Sequence, residues 1–182
     1  MPKIVDHAAY RTHLLDGCLP LAADRGYGEL TMREIADALA VSTGTLYHYF
    51  DGKRDLFLTL VEHLTERVIA GIRATVGSQG DPTARFEALL SVVAEREEWI
   101  AAYNRICLDH LRERPSGGDA VMAATMARAT DALAEALEVR PADARFLFVA
   151  LLGLITERDL DGGAVSFDEQ ADRLRTWFSA RT

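Results

Sequence analysis

Apolar residues recur at helical spacing along nearly the whole of this 182-residue chain. After Tyr10, for example, Leu14, Cys18 and Leu21 follow at intervals of three or four residues. No segment alternates apolar and polar residues for long enough to indicate a strand, and only five prolines and thirteen glycines interrupt the pattern. The sequence therefore predicts an all-α protein in which each helix buries one apolar face against its neighbours.

Capping and loop residues divide this pattern into three short helices followed by six longer ones. The first four helices carry recognisable boundaries. Gly26 suits a left-handed cap after the first helix, and Thr31 with Glu34 forms a capping box for the second. Ser42 caps a third helix over 43–49, and Asp51 caps a fourth over about 52–76. Later boundaries are loops at 77–82, 114–119 and 161–163, a polar break at 95–98, Pro141 at the start of a helix to about 160, and a capping box of Ser166 with Glu169 before a last helix to 180.

The net charge of the chain does not favour binding to nucleic acid. The net charge is −8, and residues 1–57 hold six Lys or Arg against eight Asp or Glu. Any DNA binding must therefore depend on a local surface rather than on bulk charge.

The compartment follows from the cysteines and from the apolar segments. Cys18 and Cys107 lie far apart within helical patterns and are expected to be free buried thiols. The N-terminus lacks the apolar segment of a signal peptide, and the longest apolar run, at 146–155, is too short to span a bilayer. We expect a cytoplasmic protein without a membrane partner.

The stretch "STGTLYHYFDGKRDLF", residues 42–57, is the most informative part of the chain. A seven-residue helix after a short helix and a three-residue turn has the spacing of a helix-turn-helix, whose second helix enters the DNA major groove. Leu46 and Phe50 are spaced to face inward with Ile35 and Leu39, which leaves small, hydroxyl and aromatic residues for an outer surface.

Neutral side chains of this kind suit DNA. Hydroxyls and phenols donate to phosphate oxygens, Thr methyl groups pack on thymine methyl groups, and Gly44 lets the backbone approach the groove. The alternative is an ordinary helix start over a buried aromatic cluster. Tyr47, His48 and Tyr49 cannot all be buried, because consecutive helical residues point about 100° apart.

These residues also resemble a known family. The segment "LTMREIADALAVSTGTLYHYFDGKRDLF", residues 30–57, resembles the DNA-binding signature of TetR-family transcriptional regulators, and "LLDGCLPLAADRGY" before it resembles the first helix of that family. The resemblance covers about residues 10–58. It implies a helix-turn-helix domain at 1–52 and a larger helical ligand-binding and dimerisation domain at 53–182. It further implies a homodimer formed through the helices at 141–160 and 166–180.

The resemblance also implies which residues contact DNA. By motif position they are Thr31 and Arg33 at the backbone, Thr43, Gly44, Thr45 and Tyr49 at bases or groove, Tyr47 and Lys53 at phosphates, with Ser42 and His48 beside them. His48 stands where the family varies.

The remainder of the chain is less specific. A cavity for an apolar or aromatic effector could be lined by Phe86, Trp99, Tyr103, Cys107, Met122, Met126, Phe146 and Phe148, although for each residue alone a plain core position is the favoured interpretation. Cys107 and His110 have the spacing of half a metal site, but a core thiol beside a histidine on the polar face explains them better. No cofactor or metal is predicted, and no enzyme motif is present.

The resemblance to TetR-family regulators thus implies a ligand-responsive transcriptional repressor that binds a palindromic operator as a homodimer and is released by a small molecule. Two alternatives stay open. One is an activator or an effector-independent regulator of the same class, and the other is a helical interaction module without DNA binding.

Overall fold

A computed structural model describes residues 6–112 and 120–181, without the side chain of Leu111, and these residues form helices joined by turns. The elements are α1 His7–Arg25, α2 Met32–Ala38, α3 Thr43–Tyr49, α4 Lys53–Gly71, a π-helical segment Ile72–Val76, α5 Pro82–Glu95, α6 Glu97–Arg112, α7 Ala120–Leu137, α8 Pro141–Asp161 and α9 Phe167–Ser179. The all-α prediction is confirmed, although α1, with 19 residues, is not short. The loop predicted at 114–119 lies outside the described residues.

The predicted caps of the first three helices are confirmed. Gly26 ends α1 with a φ of 78°, a conformation that favours glycine. At α2 the backbone N–H of Glu34 donates to Thr31 Oγ1 at 3.2 Å, and the Thr31 N–H donates to Glu34 Oε2 at 2.9 Å. Ser42 Oγ accepts the N–H of Thr45 at 2.9 Å and begins α3. Local sequence signals therefore predict correctly where α1 ends and where α2 and α3 begin.

Two later boundaries differ from the prediction. Asp51 does not cap α4, because the N-cap is Gly52 and the Asp51 N–H instead donates to the carboxylate of Asp55 at 3.0 Å. The predicted helix to Val76 leaves α-geometry at Gly71 and continues as the π-helical segment. At α9, Ser166 Oγ accepts the N–H of Glu169, and this is the half of the predicted capping box that the described part of the chain shows.

Two apolar cores lie along the molecule. The first combines α1, α2 and α3 with the first half of α4 and with residues of α6 and α7, such as Ile106 and Met122. The second combines Val76 with α5, α7, α8 and α9, and includes Ala101 of α6. The division of domains at residues 52 and 53 stays a prediction, since α4 begins there and its first half packs with the helix-turn-helix.

No helix in the described ranges 6–112 and 120–181 is long and apolar enough to cross a lipid bilayer.

The contact between the end of α1 and the start of α2 generates a testable prediction. Arg25 pairs with Glu34 at 2.6 Å, and this hydrogen bond, followed by those from Thr31, lowers the pKa of Glu34 from about 4.5 to about 2. Because the folded pKa lies below the unfolded one, the contribution to the free energy of unfolding is complete above about pH 4.5 and is lost as the pH falls toward 2.

We expect Arg25→Gln to raise the pKa of Glu34 more than Thr31→Val does, since the arginine bond is the larger cause. An NMR titration of the Glu34 carboxyl carbon in the three proteins measures this order. A wild-type midpoint near 4.5, or the opposite order of the variants, would contradict the structure.

Candidate nucleic-acid interface and ligand cavity

The inner face of α3 holds it against α2. Leu46 and Phe50 are buried, with 0% and 1% of their surface exposed, and they share the first core with Ile35 and the partly buried Leu39. The predicted inward residues are therefore confirmed. With this face buried, the polar side of α3 is fixed toward solvent.

The outer face of α3 presents the predicted small, hydroxyl and aromatic residues. Tyr47 is 55% exposed. Gly44 and His48 are also exposed, whereas Thr43, Thr45 and Tyr49 are half-buried. A Cβ on Gly44 would meet only Ser42 Oγ, at 3.6 Å. The first turn of α3 thus exposes its backbone over Gly44.

The hydroxyls at this surface are oriented by their capping bonds. Ser42 Oγ and Thr45 Oγ1 lie 2.8 Å apart, so one of them donates to the other. Because each hydroxyl has one hydrogen, the second hydrogen of the pair remains available to a phosphate or base. Thr31 donates its own hydrogen to Glu34 Oε2 at 2.7 Å and can only accept further bonds.

The N-terminus of α1 adds two residues that the sequence analysis missed. His7 Nδ1 lies 3.0 Å from the Tyr49 hydroxyl, and the ring of Tyr10 lies 5.5 Å from that of Tyr49. Together with α3 they line an open groove of about 720 Å³, whose walls are His7, Tyr10, Ser42, Gly44, Thr45, His48 and Tyr49. No local signal marks His7, because it lies 42 residues from Tyr49 in sequence.

The two cations predicted at this surface differ in their surroundings. The Arg33 side chain is 85% exposed and lies 4.0 Å from Asp37, which leaves its donors accessible to solvent. Lys53 Nζ donates to the carbonyl of Gly28 at 2.7 Å and lies 4.6 Å from the centre of the Tyr27 ring. The Lys53 ammonium therefore fixes the start of α4 against the turn between α1 and α2.

A cavity of about 150 Å³ lies between α4, the π-helical segment, α5, α6, α7 and α8. Of the eight predicted lining residues, five line it: Trp99, Tyr103, Cys107, Met126 and Phe148. The fold also brings other residues to the cavity, among them Val68, Ile72, Leu89, Leu133, Leu151 and Asn104.

The other three predicted lining residues lie elsewhere. Phe86 stacks on Phe178 in the second core, with ring centres 4.3 Å apart, and Met122 belongs to the first core. Phe146 is 46% exposed on the outer face of α8. Helical spacing alone does not distinguish a core position from a cavity position or from an exposed one.

Burial determines the chemistry of the thiols. It raises the pKa of both Cys18 and Cys107 to about 12, so neither is a thiolate near neutral pH. His110 is only 2% exposed and stacks on Phe57 at 4.3 Å, so its predicted place on the polar face is wrong. Among the described residues no three His, Cys, Asp or Glu side chains form a metal cluster.

Comparison with known proteins agrees with this geometry. Residues 14–60 match the family model described as bacterial regulatory proteins, tetR family. The HTH-type transcriptional repressor KstR2 of Rhodococcus jostii is 36% identical over 85 residues, which are 47% of this chain and 42% of that protein. The chain thus spans less than half of the length of that relative.

Two further similarities extend beyond the helix-turn-helix. The HTH-type transcriptional repressor Rv1474c of Mycobacterium tuberculosis is 33% identical over 136 residues, covering 71% of this chain and 68% of that protein. A tetR-family transcriptional regulator from Streptomyces coelicolor has the same fold, with a TM-score of 0.72 over 95% of this chain and 80% of that one, at 22% identity. These relatives are regulators of transcription, not enzymes.

The buried thiols generate a prediction. A pKa of about 12 in place of 9 is three units, so the thiolate fraction of each cysteine near pH 8 falls about a thousandfold. We expect neither cysteine to react with an aromatic disulfide reagent in the folded protein, and both to react once urea unfolds it. Rapid labelling of one thiol in the folded state would show that its burial is wrong, and Cys18→Ser and Cys107→Ser identify which one.

Proposed function

The chain belongs to the TetR family of bacterial regulatory proteins, and we propose that it is a ligand-responsive repressor, which binds a palindromic operator as a homodimer and leaves it when an effector binds. One observation carries the proposal. The 19-residue helix α4 begins at Lys53 beside the helix-turn-helix, and its other end reaches the cavity through Val68, Gly71 and the following Ile72. At about 1.5 Å per residue, one helix of roughly 28 Å joins both sites.

DNA binding is supported by the outer face of α3. A face that combines exposed backbone at Gly44, the paired hydroxyls of Ser42 and Thr45, and the phenol of Tyr47 offers neutral donors to phosphates and base edges. In this proposal His7 holds Tyr49 in place and so extends the surface to α1. Neutral donors explain how a chain of net charge −8 can bind a polyanion.

A homodimer is supported by the outer face of α8. Phe146 and Val149 are 46% and 60% exposed, and a Cβ on Gly153 would meet nothing within 4 Å. On α9 the Trp177 ring stacks on Phe146 at 4.5 Å and continues this apolar surface. An isologous contact between two such faces is the commonest way to form a dimer, and its two-fold axis matches a palindromic operator.

The proposed release depends on the position of α4. The two recognition helices of a dimer must lie about 34–36 Å apart, or a multiple of that, to occupy successive major grooves. An effector that contacts Val68 and Ile72 would tilt α4 and change this separation. Coupling free energies of about 1–3 kcal/mol are typical and change operator affinity some 5- to 150-fold.

Selection of bound sequences from random duplex DNA tests the proposal. Enrichment of an inverted repeat whose half-sites are one helical turn apart, or a multiple of it, is expected. Enrichment of no sequence would favour a helical interaction module instead. Expression from a promoter carrying the selected site then separates a repressor from an activator.

The exposed backbone of Gly44 allows binding to be separated from folding. We expect Gly44→Ala to keep or raise the free energy of unfolding, because alanine favours a helix by up to about 1 kcal/mol and only Ser42 Oγ lies within 4 Å of the new methyl group. DNA affinity should fall about tenfold, since the methyl group prevents close approach of α3 to the groove. Binding and urea unfolding are measured together, with Gly80→Ala, which also has open space, as the control. Unchanged DNA affinity would remove Gly44 from the interface.

The dimer interface can be tested at an exposed position. Val149→Arg should give a folded monomer, because the charge would be buried in the proposed contact but stays in solvent in the isolated protomer. Leu151, although on the same helix, is 6% exposed and lines the cavity, so its substitution would damage the core instead.

Sedimentation velocity measures the outcome, with Leu108→Arg on α6, at a residue 42% exposed, as the matched control. A dimer that survives Val149→Arg and dissociates with Leu108→Arg would place the interface on α6.

A further inference from the structure

We propose that the effector is a small amphipathic monoanion, whose apolar ring or short chain fills the cavity and whose anionic group pairs with Arg96. This inference rests on the proposed function and adds the chemical class of the effector.

The cavity sets the size of the apolar part. Its volume of about 150 Å³ is that of an engineered apolar cavity that binds benzene, so one six-membered ring or a short aliphatic chain fills it. Its wall is made mostly of apolar side chains, which include Val68, Ile72, Leu89, Met126 and Phe148. The polar side chains beside it are already engaged: Tyr103 bonds to Thr65 at 2.7 Å, and Asn104 donates to Thr156 at 2.6 Å. The interior thus suits an apolar group.

Among the described residues that line the cavity, Arg96 is the one that carries a charge. It lies at the break between α5, which ends at Glu95, and α6, which begins at Glu97. Its Nη1 lies 3.4 Å from the position that a Cβ on Gly71 would occupy, so the guanidinium lies over the end of α4. Arg96 also lines an outer groove of about 800 Å³. The guanidinium therefore stands where the apolar cavity meets the polar groove.

The neighbouring arginines are paired with carboxylates, whereas Arg96 has no carboxylate partner among the residues that the structure describes. Arg67 contacts Asp16 at 2.8 Å, and Arg158 holds Glu97 through two bonds of 2.6 and 3.2 Å. Within residues 6–112 and 120–181 the Arg96 side chain makes no such bond, and its backbone N–H donates to the carbonyl of Val92. An anion of the effector would supply the missing partner, and a guanidinium binds a carboxylate in a bidentate geometry.

The charges of the outer groove limit the effector to a single negative charge. Glu95 and Glu98 line this groove beside Arg96 but do not line the cavity. The charged residues of the groove are Arg67, Arg96 and Arg158 against Glu95, Glu97, Glu98 and Asp159, three against four. A polyanion would meet the excess of carboxylates, whereas one carboxylate at the cavity mouth meets Arg96 first.

Matched probes test the class of effector. Phenylacetate and phenylacetamide have the same ring and nearly the same shape, as do hexanoate and hexanamide, and differ in charge. NMR titration of the full chain without DNA should show the carboxylates binding roughly tenfold or more tightly than the amides. Arg96→Gln should abolish this preference, while Arg173→Gln, at an exposed arginine on α9, should keep it.

Equal affinities for acid and amide in the wild-type chain would overturn the proposal, as would a preference that survives Arg96→Gln or the absence of binding by all four probes. Circular dichroism of Arg96→Gln verifies that it folds. The result is independent of the DNA selection, because carboxylate binding with no selected DNA would refute the repressor and not the anion site.

Discussion

The burial of α4 along its length, from the helix-turn-helix to the cavity, holds the molecule together. Leu56, Phe57 and Leu60 lie in the core shared with the helix-turn-helix, while the end of the helix reaches the cavity at Val68. Polar contacts reinforce this position, since Asp16 of α1 accepts bonds from His63 and Arg67 of α4 at 2.9 and 2.8 Å. The bond from His63 is the main cause that lowers the pKa of Asp16. We therefore expect α1 and α4 to move together. A displacement of α4 at the cavity would then also displace α3.

The sequence predicts the helix-turn-helix well because its signals are local. The caps at Thr31 and Ser42 involve residues three apart, and the inward residues Leu46 and Phe50 are four apart. Contacts between residues that lie far apart in the sequence could not be predicted from such local signals. His7 meets Tyr49 only because the fold brings the start of α1 beside the end of α3. On α8, apolar residues on every side did not reveal which face is inner, so the structure was needed to place Leu151 at the cavity and Phe146 at the surface.

The acidic charge of the chain is compatible with the proposed DNA-binding surface because affinity can come from oriented neutral donors. A bond from a hydroxyl or a backbone N–H to a phosphate does not displace the same number of counterions as a lysine does, so binding of this kind depends less steeply on salt. It also depends more on geometry, since a hydroxyl must point at its acceptor. The capping bonds at Ser42 and Thr45, and the contact of Tyr49 with His7, provide that orientation.

The π-helical segment begins at the cavity where the proposed effector would bind. A π-helical turn contains one more residue per hydrogen-bonded ring than an α-helical turn, and such turns occur frequently at functional sites. Here the change from α to π geometry falls at Gly71 and Ile72, both of which line the cavity, and Arg96 lies over Gly71. A glycine at this point lets the guanidinium come close to the helix backbone. The proposed anion would draw Arg96 toward the cavity mouth and change its packing on Gly71, the residue at which α4 gives way to the π-helical segment.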